Sequence, residues 1–361
     1  MLGWCGYLSD PRRDERYDAA QCCPLPFARP ALVIAHHSDD PLPAAIATTL
    51  RTLLLADVAV RELRPFGDGH SGFTYLVRLE LRGCSGEYVA RLSPPGARIT
   101  GPADVGRQGR IMAALHRQGL PVPDVLAADS SGLTLGRALV VMERVEASGW
   151  QTAARELGDL QVAALAVGFL HEVGSIRPQS LDLPDEAPAS LTDDLERWQR
   201  LLAYCPGWLM EPGRRLYERL LAALPGPGPV RLVHGDFHYG NMLFLGSSVA
   251  AVLDWEIATL SDQRLDLGCL AVASLRRRYP EPNPTGGLDV SLTELAGMFG
   301  MPMDQARWFT AAACLKYAAI LGYNLGLHRR GRRIDALYEQ LQITMRGLAA
   351  DGLALLAGDG P

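Results

Sequence analysis

The chain has 361 residues, 48% of them hydrophobic, a length and content that suit two lobes with buried cores rather than one small domain. A formal net charge of −5 excludes a general basic footprint for nucleic acid. No apolar run reaches the length of a bilayer span and no cationic-then-apolar pattern opens the chain, so the expectation is a cytoplasmic protein with neither a membrane nor a nucleic acid as partner.

In chain order, residues 1–42 are rich in Pro, Arg, Asp and Cys without a sustained hydrophobic period, and are expected to be an N-terminal extension. Cys5, Cys22, Cys23, His36 and His37 match no common zinc spacing, and seven scattered cysteines make no disulfide framework. Residues 43–56 read as a helix and VAVRELRPF as a strand. Gly67, Gly69 and Gly72 follow in a G-x-G-x-x-G pattern, weak by itself. What comes next, FTYLVRLELR, has the period of a strand and not of the helix that a dinucleotide fingerprint needs. Strand, glycine loop, strand is the kinase arrangement, in which backbone N–H groups cover phosphates. EYVARLSP is a further strand, residues 103–118 a helix, and 122–128 and 135–142 two more strands. A nucleotide-binding N-lobe over 43–147 and a catalytic, acceptor-binding C-lobe over 148–361 follow.

The C-lobe begins with a long apolar helix over residues 151–173, in which His171 is expected to be a hydrogen-bonded structural histidine. Helices are expected over 191–203 and 213–223, then PGPGP leads into RLVHGDFHYGNMLFLGSSVAAVLDWE. That stretch reads as strand, polar loop, strand, turn, strand, a layout expected to bring Asp236, Asn241 and Asp254 to one end of a single small β unit. Helices over 265–279, 292–299, 305–328 and 336–355 finish the chain. His234, Asp236, Asn241 five residues on, and Asp254 on a later loop fill the protein-kinase template in order. An Asp within reach of a hydroxyl can orient it and accept its proton, while an amide oxygen and a second carboxylate are hard donors suited to Mg²⁺ on nucleotide phosphates. Turn residues alone are the bland alternative, since Asp, Asn and Gly populate any hairpin.

HGDFHYGN followed by VLDWEIATLSDQRLDLG resembles the aminoglycoside phosphotransferase superfamily, relatives of protein kinases, and within it the phosphotransferase-like domains fused to acyl-CoA dehydrogenases. The resemblance runs over about residues 45 to 345. It implies an α+β, two-lobed, protein-kinase-like fold with a β-rich N-lobe and a larger helical C-lobe. It implies that Asp236 is catalytic, that Asn241 and Asp254 hold Mg²⁺, and that His234 and Asp266 brace the loops. Gly69, His70, Ser71 and Gly72 would lie on the phosphates, with Gly72 where Asn is usual. Arg91 stands where kinases carry a lysine, and the subgroup likewise has Arg there; Lys316 is the only lysine of the chain. Gln108 replaces the acid that normally pairs with that cation, and an amide oxygen can orient a guanidinium without adding charge. Glu143 to Val145 would offer backbone groups to a nucleobase.

The function expected is transfer of the terminal phosphate of ATP, or GTP, with Mg²⁺, to a hydroxyl of a small molecule such as an antibiotic or other natural product. A hydroxyl side chain of a biosynthetic peptide is an alternative acceptor, and nucleotide binding without transfer, acting through a partner, an alternative function. The acids Asp182, Asp185, Glu186, Asp193, Asp194 and Glu196 suit either a cationic acceptor or a solvated helix start.

Overall fold

The computed structural model describes residues 41–66, 73–183, 186–281 and 287–358. Gly69, His70, Ser71 and Gly72, the candidate phosphate loop, lie outside the described residues, as do Cys5, Cys22, Cys23, His36, His37 and Asp185. The described chain forms two compact units, one from residues 41–107 and 126–142, the other from 108–125 and 143–358.

The first unit starts with helix α1 (Leu42–Leu54) and carries strands β1 (Val58–Pro65), β2 (Thr74–Leu81) and β3 (Cys84–Leu92). Helix α2 (Val105–Arg117), which from Gln108 on belongs to the second unit, follows, then β4 (Val125–Thr134) and β5 (Arg137–Glu143). They make a five-stranded sheet in the order β1-β2-β3-β5-β4. Alternation decides what each face carries. Val77, Leu79, Ala90, Leu92, Leu139 and Val141 share a core with Leu42, Ile46 and Leu50 of α1. Arg91, between Ala90 and Leu92, therefore belongs to the face turned away from α1.

The second unit contains β6 (Ser148–Gly149), α3 (Trp150–Leu157), α4 (Asp159–Ser175), α5 (Leu191–Leu202), α6 (Gly207–Ala222) and β7 (Val230–Val233). Strands β8 (Met242–Leu245), β9 (Ser248–Val252) and β10 (Thr259–Asp262) come next. It closes with α7 (Arg264–Leu275), α8 (Leu292–Phe299), α9 (Met303–Arg329), α10 (Leu337–Gln340) and α11 (Gln342–Ala357). Helix α9 is apolar around most of its circumference, and its residues are buried almost without break from Ala306 to Gly326. Such a helix is stable only when surrounded, and α5, α6, α7 and α11 all pack on it.

Two expectations change here. The long helix over 151–173 is divided into α3 and α4 at Gly158, whose φ of +85° lies in the left-handed region that favours glycine. The single β unit is two small sheets: β8 and β9 form the hairpin and β8 also pairs with β6, whereas β7 pairs with β10. The turn at Gly235 carries the chain off β7 before the hairpin starts.

Candidate active site

Leu232 and Val233 are buried and hold the end of β7 in the core. Gly235 then has φ +82°, and a Cβ there would come 2.8 Å from the Ile257 carbonyl oxygen, so this turn requires glycine on both counts. Asp236 follows, buried to 4% exposure. His238, Tyr239 and Asn241 are buried as well, and a single turn over Tyr239–Asn241 delivers the chain into β8.

Three side chains knit this loop to its surroundings. The Asp236 N–H donates to His234 Nδ1 at 3.1 Å, while Nε2 of the same ring lies 2.8 Å from the Leu253 carbonyl. Together these select the neutral tautomer with its proton on Nε2. Burial, working against the bond to Leu253, lowers the His234 pKa to about 4 and keeps it neutral. The Asp266 carboxylate, in the first turn of α7, accepts the N–H groups of His234 (2.7 Å) and Gly235 (2.9 Å). Burial pushes the Asp266 carboxyl up to about 7, opposed by those two bonds and by the Lys316 ammonium. Asn241 donates from Nδ2 to the Asp236 carbonyl (3.0 Å), and its own carbonyl accepts the Leu253 N–H (2.8 Å).

Asp254 is thus one residue from a backbone bond to Asn241, and it adopts the left-handed conformation at φ +63°. A non-glycine residue held there stores about 1–3 kcal/mol of strain, which concentrates at functional sites. The amide nitrogen of Asn241 is committed to Asp236, so its oxygen is the atom that could face a metal. That oxygen and the Asp254 carboxylate are hard donors of the type Mg²⁺ takes from protein when phosphates and waters supply the rest.

The carboxylate of Asp236 accepts the Tyr317 hydroxyl on Oδ1 at 2.8 Å, and Oδ2 lies 3.5 Å from His238 Nε2. Burial opposes its ionisation. The His238 imidazole, the Lys316 ammonium and the Tyr317 hydroxyl outweigh that penalty and hold the carboxyl well below the usual carboxylate range. Lys316 and Tyr317 are consecutive on α9, some eighty positions from the loop they serve, and no local motif marks them. The one available signal was that Lys316 is the only lysine in the chain. His238 stood inside the motif and is legible there only as a spacer.

The remaining candidates are spread over both units. Arg91 sits on β3 opposite Thr74, in the first unit, and Gln108, buried on α2, in the second. The Glu143 N–H is bonded to the Asp124 carbonyl at 2.8 Å, and Val145 is half-buried in the following segment. His171 approaches the Met298 carbonyl with Nε2 (3.3 Å) and stacks on Phe299, a structural setting. Among the acids, Asp193 forms a capping box with Ser190 at the start of α5, and half-buried Asp194 accepts Trp198 Nε1–H at 3.0 Å. The capping box is worth about 1 kcal/mol to the helix. Cys205, Cys269 and Cys314 are buried free thiols, and Cys84 an exposed one.

A β-rich lobe joined to a helical one, with His-x-Asp, Asn and Asp gathered on one loop system, defines a kinase-like phosphotransferase. A model of the phosphotransferase enzyme family matches residues 62–292, and the chain belongs to that family. It is 29% identical over 326 residues to acyl-CoA dehydrogenase family member 10 of Mus musculus, covering 82% of this chain and 29% of that protein. It is 26% identical to probable acyl-CoA dehydrogenase IBR3 of Arabidopsis thaliana, over 56% of this chain and 27% of the relative. The chain therefore spans less than a third of the length of these curated relatives. Among solved structures, a putative aminoglycoside phosphotransferase from Ralstonia eutropha JMP134 superposes with a TM-score of 0.66 at 19% identity, over 87% of this chain and 98% of the other. Amicoumacin kinase hAmiN, in complex with AMP-PNP, Ca²⁺ and Ami, gives 0.55 at 13% identity, over 82% and 89%. No helix among the described residues is long and apolar enough to cross a membrane.

Proposed function

We propose that this phosphotransferase moves the terminal phosphate of ATP, or GTP, to a hydroxyl of a small molecule, with Asp236 orienting that hydroxyl and accepting its proton. The observation that carries the proposal is Asp236 itself, a buried carboxylate kept ionised, on a loop shared with Asn241 and tied through His234 to the residue before Asp254. Asn241 and Asp254 would hold Mg²⁺, which when bound neutralises charge on the transferring phosphoryl group. The chain's own share is positioning. His234 and Asp266 brace the loop through their hydrogen bonds, and burial places the carboxylate where its electrostatics count for more than in open water. The reading is in keeping with one solved neighbour of the same fold, a thermostable mutant of an aminoglycoside phosphotransferase in ternary complex with ADP and hygromycin B.

The test is mass spectrometry for the gain of one phosphoryl group, with Mg²⁺ and ATP or GTP, over a panel of acceptors. Aminoglycosides, sugars, peptides with hydroxyl side chains and hydroxyacyl thioesters belong in it, the last because the curated relatives carry the name acyl-CoA dehydrogenase. Magnesium-dependent nucleotide binding without phosphate on any acceptor, and without slow hydrolysis, would favour binding alone.

Two predictions follow from the ligand set. Asp254→Ala and Asn241→Ala should both weaken the Mg²⁺ dependence of nucleotide binding, Asp254→Ala more, since it removes a charge. Calorimetric titration giving unchanged Mg²⁺ linkage in Asp254→Ala would remove it from the metal. Arg91, on the sheet face away from α1, would supply the cation for the phosphates. Arg91→Ala should raise the nucleotide KM about tenfold or more, a loss of roughly 1.4 kcal/mol. Arg91→Lys should rescue only in part, because an ammonium has no two-pronged grip on phosphate oxygens. A wild-type KM in Arg91→Ala would make it an ordinary strand arginine.

A further inference from the structure

The two oxygens of the Asp236 carboxylate are held differently. Oδ1 accepts a 2.8 Å hydrogen bond from the Tyr317 hydroxyl, delivered by the long buried helix α9. Oδ2 has no contact short enough for a firm hydrogen bond among the described residues. It stands 3.5 Å from Nε2 of His238, a ring buried to 2% exposure with neither nitrogen in a hydrogen bond. The torsion that swings a carboxylate about its last bond is broad, so an Asp on a loop with no anchor would present either oxygen over a range of directions. One firm bond to one oxygen removes that freedom. Tyr317 is suited to the task, since burial, and after it the charges of Asp236 and Cys269, push its hydroxyl well above the ordinary phenol range and keep it a donor.

We propose that Tyr317 is a positioning residue for the transfer reaction: by holding Oδ1 it fixes the rotation of the Asp236 carboxylate and leaves Oδ2 as the oxygen that receives the acceptor hydroxyl. The proposal rests on Asp236 acting as set out above. It adds a division of labour between the two oxygens and a residue from α9 that enforces it. Small errors in the placement of a reacting group are expensive in rate, so the anchor is a rate determinant although it touches neither nucleotide nor acceptor.

Tyr317→Phe removes one oxygen and keeps the ring. The assay is phosphate release from Mg-ATP with water as acceptor, which needs no knowledge of the natural acceptor. In the otherwise wild-type chain kcat should fall about tenfold or more with the nucleotide KM unchanged. In the Asp236→Ala background the same substitution should have no further effect, because its partner is gone. Wild-type turnover in Tyr317→Phe beside a slow Asp236→Ala would overturn the anchor and leave the phosphotransferase mechanism standing. An equal fall in both backgrounds would also overturn it, since Tyr317 would then act independently of Asp236. Unchanged turnover in Asp236→Ala itself would bring down both. If the phenylalanine variant does not fold, Tyr317→Gln, which keeps an N–H donor, is compared with Tyr317→Met, which has none. Higher turnover in the glutamine variant is expected, and equal turnover overturns the proposal.

Discussion

Replacing Asp236 with alanine is expected to lower turnover by roughly 10²-fold or more while leaving nucleotide affinity nearly unchanged. The split follows from what the side chain touches. Its oxygens meet Tyr317 and face His238, whereas Asn241 binds the Asp236 main-chain carbonyl, which alanine retains. The oxygen donors proposed for the metal thus keep their support, and the loss falls on the step in which the acceptor hydroxyl gives up its proton. Steady-state kinetics on a phosphorylated acceptor, with nucleotide binding measured beside them, would check both halves. Wild-type turnover would end the assignment.

Lys316→Met should cost about 3–5 kcal/mol of stability, the range for removing one partner of a buried charge cluster. Against a total of about 5–15 kcal/mol for a typical domain, that is a large fraction. The Lys316 ammonium, 5% exposed, donates to the Cys269 sulfur at 3.4 Å. It sits over the rings of Trp198 and Tyr317 at 5.3 and 5.2 Å, in the field of Cys269, Asp236, Asp194 and Asp266. Methionine fills much the same space and leaves those acids without their cation. Part of the penalty can be relieved by protonation of Asp266. A carboxyl whose folded pKa is raised is least costly below its unfolded value and weighs against folding increasingly as pH rises to the folded one, here about 7. The loss should accordingly be smaller near pH 6 than near pH 8. Urea midpoints at the two conditions measure it, and a midpoint equal to wild type at both would mean that Lys316 compensates nothing.

What could be read from the residues alone was whatever is local. HGDFHYGN and the Asp two residues past β9 are short-range patterns, and each requires its own turn chemistry, glycine at 235 most strictly because any side chain there meets Ile257. Strand alternation separates Arg91 from the α1 core, and a long, mostly apolar stretch announces α9. The division of α3 from α4 lay in one glycine, whose backbone conformation a hydrophobic period does not record. Pairing of β7 with β10, in place of a single small sheet, was decided by where the chain goes after the second acidic turn, a matter of long-range contact.

The environment of Asp236 belongs to the same class. An Asp in a motif has no set ionisation, because burial and neighbouring charge move it in opposite directions. Sequence by itself determined that an Asp, an Asn and a second Asp would stand in kinase order. Only the tertiary structure decided that Tyr317 and Lys316, from a helix far along the chain, close on the first of them and join His238 in keeping it charged. Such contacts leave no trace in local pattern, since packing selects a helix face for its fit against everything around it and not for its distance along the chain.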